Sequence, residues 1–154
     1  MLGRLYEGQE CTAARTLEVV GERWSLLILR DALFRGYTHF SDFQRSLGIA
    51  ANILARRLEV LVAAGIMKAV QTSSHPNHRE YVLTEKGQDF KPVVVALTAW
   101  GDKWLGDGIS PLTLRSKSTG QKFSVALVDE RGKRAKGSDI EMVIDSRFER
   151  KRCR

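Results

Sequence analysis

Cysteine is scarce in this 154-residue chain: there are two, Cys11 and Cys153, far apart in sequence. That excludes a disulfide framework within one chain and a tetrahedral zinc site built from cysteines, and it fits a reducing cytoplasm. Long apolar runs are missing too. No stretch approaches the ~20 apolar residues of a membrane span. The N-terminal MLGRLYEGQECTAA has no apolar segment of signal-peptide length, so a soluble, non-exported, cytoplasmic protein is expected. Histidine is limited to three residues. His75 and His78 flank Pro76 and Asn77 without further ligands nearby, and His39 stands alone, so no metal site is expected. Neither a general acid and base pair nor a glycine-rich phosphate loop can be found: Gly106 and Gly108 lead out of a helix rather than from a strand into one. No catalytic residues, no enzyme activity and no cofactor are therefore expected.

The length suffices for one compact domain with an extension. Formal charge is +7, which points to a polyanionic partner. Arg147, Arg150, Lys151, Arg152 and Arg154 against Glu149 give the tail +4 of that total and leave +3 for the rest. The placement of charge therefore matters more than its sum. A basic tail at residues 147–154 is expected to be disordered and solvated.

The chain is organised around the stretch from Phe40 to Gly65. Phe40, Phe43 and Leu47 mark a short one-sided helix, with Ser41 placed to cap it and Gly48 to end it. Leu54, Leu58 and Leu61 mark a second helix, about Ala51 to Ala64, with Gly65 at its stop. At roughly 100° per residue the leucines form one stripe, while Asn52, Arg56 and Glu59 fall opposite and Arg57 flanks them. A plain solvated face would show the same pattern. Asn52 and Arg56 at i and i+4 near a helix N-terminus nevertheless suit a helix whose first turns enter a DNA major groove, where Asn reads adenine and Arg forks onto guanine.

Ile66 to Gln71 and Tyr81 to Leu83 read as two strands about the polar loop Thr72 to Glu80. A helix-turn-helix followed by a hairpin is a winged helix. Upstream, Ala13, Ala14, Leu17 and Val20 make a one-faced helix with Thr12 as its cap, and Trp24 to Phe34 is dense enough in apolar residues to be the central core helix. Tyr37 to His39 reads as a strand edge. Downstream, Thr84 caps a long helix to about Leu105, with a kink or an irregular turn near Pro92. Its wide stripe, with Phe90, Val93, Val94, Leu97, Trp100 and Trp104, exceeds what one protomer covers. With Leu17 and Val20 it predicts a homodimer whose terminal helices pack about a two-fold axis, the competing reading being that the C-terminal region covers the stripe. After Gly106-Asp107-Gly108 and Pro111 the period becomes alternating. Three short strands are expected: one at Leu112 and Leu114, one at Phe123, Val125 and Leu127, one at Ile140, Met142 and Ile144. The turns between them fall at Ser118-Thr119-Gly120 and at Asp129 to Ser138. The expected fold is α+β: a winged helix-turn-helix domain with flanking dimerisation helices over residues 1–107, a small antiparallel β appendage over 108–146, and the tail. The appendage either binds a small effector against the Trp100 helix or braces the dimer.

These residues in order resemble the HxlR-type family of bacterial winged helix-turn-helix transcriptional regulators. The resemblance covers Cys11 to about Leu105. It rests on Cys11 with Ala14-Arg15-Thr16-Leu17-Glu18-Val19-Val20-Gly21, on Trp24-Ser25-Leu26-Leu27-Ile28-Leu29-Arg30, on Phe40-Ser41 and Gly48-Ile49, and on Leu54, Arg57-Leu58, Leu61 and Ala64-Gly65-Ile66. It continues through Tyr81, Leu83-Thr84-Glu85-Lys86-Gly87 and Trp100-Gly101-Asp102-Lys103-Trp104. The resemblance implies a dimer formed by the first and last helices, with recognition helices reading a two-fold operator on double-stranded DNA. Carried onto this chain, it puts Asn52, Arg56 and Arg57 on the recognition helix, His78 and Arg79 at the wing, and Ser41 against a phosphate. It also makes Cys11, a thiol near a helix N-terminus and Arg15, a candidate redox switch answering an oxidant. A small buried hydrophobe is the competing role.

The chain departs from the family in having Ala50-Ala51 where a Ser-Pro pair usually opens the recognition helix, a loss worth ~1 kcal/mol of helix stability. It also lacks the cysteine-bearing ribbon that some members carry at the C-terminal end. The sequence admits two functions. One is a sequence-specific DNA-binding regulator, a repressor in the simplest case. The other is a winged-helix protein-interaction module using Ile53 and Val60 on the same helix. Steep salt dependence separates the first from the second.

Overall fold

The structure is a computed structural model that describes residues 11–71, 79–105, 113–141 and 143. Two compact units divide the chain, residues 1–105 and 106–154. In the first, α1 (Thr12–Val20), α2 (Arg23–Arg35), α3 (Phe40–Leu47) and α4 (Ala51–Ala63) precede the hairpin β1 (Met67–Gln71) and β2 (Arg79–Leu83), then α5 (Glu85–Gln88) and α6 (Lys91–Trp104). Ile28 and Leu29 of α2, Phe43 of α3, and Leu54, Leu58 and Leu61 of α4 are completely buried against one another. This is the expected core, and each such side chain contributes about 1.5–3 kcal/mol by leaving water.

Glycine at the αL position ends both α2 and α3. Gly36 (φ 69°) closes α2 and Gly48 (φ 60°) closes α3, conformations that other residues adopt only at a cost. Between them, Thr38 and His39 stay extended: the Tyr81 amide donates to the Thr38 carbonyl at 2.7 Å, and His39 forms an isolated β-bridge with Glu80. The expected strand edge at Tyr37 to His39 is therefore the third line of the wing. β1 and β2 are antiparallel, with Met67 opposite Leu83 and Gln71 opposite Arg79.

Several expectations need correction. Ser41 does not cap α3. The extended segment ends at His39, so the helix begins at Phe40 and Ser41 lies inside its first turn. Thr12 is likewise the first helical residue, and the cap is Cys11, whose Sγ accepts from the Ala14 amide at 3.3 Å. The long helix expected from Thr84 is broken by a turn at Asp89 and Phe90, just before Pro92, into two helices, so the irregular turn and not the kink is what forms. Thr84 Oγ1 accepts from Gly87 N and caps α5, and Pro92 then sits in the first turn of α6, where its missing N–H leaves no bond unmade.

The second unit has less β-structure than the alternation predicts. Arg115 bridges Lys122 around the Ser116–Gly120 turn, and β3 (Leu127–Val128) pairs with β4 (Arg134–Ala135). Asp129 Oδ1 accepts from the Arg131 and Lys133 amides and Gly132 takes φ 76°, so the chain reverses at once. The returning strand thus falls within the stretch expected to be loop. A 3₁₀ turn at Gly137–Asp139 follows, and Ile140, Glu141 and Val143 are not in a strand. Met142, Ile144, Cys153 and the basic tail lie outside the described residues.

Candidate nucleic-acid interface

Helix α4 is positioned from below. Leu54, Leu58 and Leu61 pin one side to α2 and α3, which leaves Asn52, Ile53, Arg56 and Glu59 exposed on the other. Ala50 has no side chain to cap the helix, and the Asn52 side chain takes over part of that task. Its Oδ1 accepts from the Ile53 amide at 2.9 Å, an amide that also donates to the Ala50 carbonyl at 3.0 Å. The amide-oxygen end of Asn52 is thereby engaged with the backbone, while Arg56, one turn on, has no protein partner among the described residues.

Arg57 is placed differently from Arg56. It is half-buried, and its Nη2 lies 3.5 Å from Glu22 Oε1 at the start of α2. Its Nε is covered and has no hydrogen-bond partner among the described residues. Arg57 therefore braces α4 against the α1–α2 junction instead of standing on the outward face. Helical spacing cannot reveal this, because Glu22 is remote in sequence.

The other expected contact residues scatter around α4. Ser41 is exposed in the first turn of α3, and Arg79 is exposed at the start of β2. His78, with His75, Pro76 and Asn77, lies outside the described residues. The start of α3 is joined to the wing through His39, whose Nε2 is 3.6 Å from Glu80 Oε1 and whose Nδ1 is 3.8 Å from Asp42 Oδ2. Arg45 pairs with Asp42 one turn on. Among the described residues no group of histidine, cysteine and carboxylate side chains is placed to hold a metal ion, and no helix is long and apolar enough to cross a membrane.

The end of α4 is fixed by Lys86 and Thr84, through contacts that local spacing does not show. Lys86 Nζ donates to the Ala64 carbonyl at 2.8 Å, and Thr84 Oγ1 donates to the Gly65 carbonyl at 2.7 Å. Gly65 turns the chain at φ 68°. Buried Asp31 holds the other side of the motif, accepting from Ser46 Oγ at 2.6 Å and from Arg30 Nε at 2.9 Å.

Of the expected dimer residues, Val20 and Val94 are already covered within one protomer, so they belong to its core. Leu17, Leu97, Trp100 and Trp104 remain exposed, Trp100 by 55% and Trp104 by 61%, and Val93 joins them. Cys11 is a free thiol, exposed in one protomer at the head of α1.

Comparison with known proteins agrees with this geometry. A model of the HxlR-like helix-turn-helix matches residues 19–108. An HTH-type transcriptional regulator of Mycobacterium tuberculosis is 41% identical over 129 residues, which span 82% of this chain and 79% of the relative. The crystal structure of PA1607, described as a transcription factor, superposes with a TM-score of 0.81 at 39% identity, covering 90% of this chain and 98% of that one. The reduced form of HypR, described as a redox regulator, superposes with a TM-score of 0.56 at 26% identity, covering 64% of this chain and 100% of that one. The chain belongs to the HxlR-like helix-turn-helix family of transcriptional regulators.

Proposed function

We propose that the chain acts in the cytoplasm as a homodimer that binds a two-fold operator on double-stranded DNA and represses transcription by occupying a promoter. The observation that carries this reading is the two-sidedness of α4. Three leucines are fully buried beneath it, and Asn52 and Arg56 stand one turn apart on its open face near the N-terminus. In this reading Arg56 forks onto guanine. Asn52 releases the Ile53 amide to read adenine, and Ser41, Arg79 and His78 meet the phosphate backbone. Arg57 serves as a positioning residue through Glu22.

The exposed stripe of Leu97, Trp100 and Trp104, together with Leu17, supplies the two-fold contact, which spaces the recognition helices about one DNA turn, ~34 Å, apart. Cys11 is the proposed redox switch. Its exposure and its place at the start of a dimerisation helix support this, since oxidation there alters the packing of α1. Operator affinity under oxidant tests it: loss in the wild type and retention in Cys11→Ser are expected, and equal responses would sink the switch.

The regulator reading is tested by titrating the purified protein onto random and genomic DNA fragments at two salt concentrations and recovering the bound sequences. Enrichment of a two-fold site with steep salt dependence is expected, because each neutralised phosphate releases counterions. Salt-insensitive or absent binding would instead favour a protein partner for the Asn52 to Glu59 face.

A further inference from the structure

A cleft of about 340 Å³ opens beside α1 in the first unit. Its apolar lining comes from Val19 and Val20 of α1, Ile66 before β1 and Phe90 before α6, and two cations, Arg15 and Lys86, line the same space. Among the described residues no carboxylate does. The Arg15 guanidinium has no protein partner among the described residues, and Lys86 donates one hydrogen to the Ala64 carbonyl, leaving two of its three. Arg15 and Val19 follow one another at i and i+4, and Leu17 points off this face of α1. None of Leu17, Leu97, Trp100 and Trp104 lines the cleft.

Four apolar side chains beside two cations, with Thr12 and Thr16 completing the lining, select an anion with an apolar body, since a carboxylate receives charge-assisted hydrogen bonds from both cations while the remainder leaves water. We propose that this cleft is an effector site for a small apolar monocarboxylate. The carboxylate engages Arg15 and Lys86, and the body lies on Val19, Val20, Ile66 and Phe90. Occupancy reaches α4 through Lys86, which holds the helix's last turn at Ala64. A ligand that draws on Lys86 bears directly on how α4 is held. This second step rests on the reading of α4 as the recognition helix; the binding step does not.

Calorimetric titration of the full chain with benzoate and hexanoate, and with their neutral amides benzamide and hexanamide, tests the site without DNA. Saturable binding of one carboxylate per protomer is expected, with the matching amide weaker by about tenfold or more. Arg15→Gln and Lys86→Gln are each expected to remove that preference. Glutamine at 86 keeps a donor for the Ala64 carbonyl, so the fold is retained. Failure of both carboxylates to bind, amides binding equally well, or carboxylate affinity unmoved in both variants would overturn the site. Operator affinity with and without the bound carboxylate tests the coupling. An unchanged affinity overturns the coupling alone, whereas a chain that binds no DNA at all overturns the regulator reading and leaves the calorimetric outcome standing.

Discussion

Ser46 of α3 donates its hydroxyl to the fully buried carboxylate of Asp31 on α2 at 2.6 Å, and this bond fastens the two helices of the DNA-binding scaffold together. Arg30 and Arg35 surround the same carboxylate at 2.9 and 3.5 Å, and Arg35 Nη1 also donates to Ser46 Oγ at 2.9 Å. A buried charge is tolerated here because its acceptor sites are filled. Asp31→Asn keeps the size of the side chain and removes the charge-assisted bonds. Unfolding free energy should fall by about 1.5–3 kcal/mol in urea titration. A change within error would mean that the network does not hold α3.

Arg56 and Arg57 are neighbours in sequence and should behave as different kinds of residue. Arg56→Ala is expected to relax base preference at one operator position, a loss of about 1–3 kcal/mol in discrimination, with stability unchanged. Arg57→Ala removes half-buried packing and the contact to Glu22. It should lower stability by about 1 kcal/mol and weaken binding evenly across sequences. Competition binding against single-base operator variants, paired with urea titration, separates the two. Identical behaviour would contradict the division.

That division also shows where local spacing stops being informative. The stripe of Leu54, Leu58 and Leu61, the terminating Gly48 and the wing strands were legible because each is written in local spacing. The inward pull on Arg57 comes from Glu22, the support of Ala64 from Lys86 and the anchoring of Ser46 from Asp31, and no periodicity carries such remote pairs. The second unit departs from expectation for a related reason. Phe123, Val125 and Leu127 alternate as a strand does, but the Asp129 turn reverses the chain after Val128, and only a two-residue pairing forms.

Arg79 at the head of β2 is exposed and contributes charge rather than base recognition in the proposed complex. Arg79→Ala should weaken binding of every sequence alike and reduce the slope of log affinity against log salt by about one phosphate contact per protomer. A changed base preference with the original slope would place Arg79 in a groove instead.

The α6 stripe should hold the dimer. Leu97 is half-exposed in one protomer, and a two-fold axis repeats any substitution there on the facing surface. Leu97→Glu is expected to place two carboxylates in an apolar contact and convert the dimer to monomers in analytical ultracentrifugation, with operator affinity lost alongside. A dimer that survives would move the interface to another face.

Gly87 tests the packing that carries the wing into α5. A Cβ built there would run into the Ile66 carbonyl oxygen and lie 2.9 Å from Leu83 Cδ2. The Ile66 carbonyl is itself fixed by the Thr84 amide at 3.0 Å and by Thr84 Oγ1 at 3.1 Å, so it has little room to yield. Glycine to alanine within a helix ordinarily stabilises by about 0.4–1 kcal/mol. At Gly87 the overpacking should win, and Gly87→Ala should destabilise by about 1–3 kcal/mol in urea titration. The sign alone decides. A stabilised variant would show that β1 and α5 do not approach as closely as the Leu83-Thr84-Glu85-Lys86-Gly87 run implies, and Lys86 would then lose its reach to Ala64.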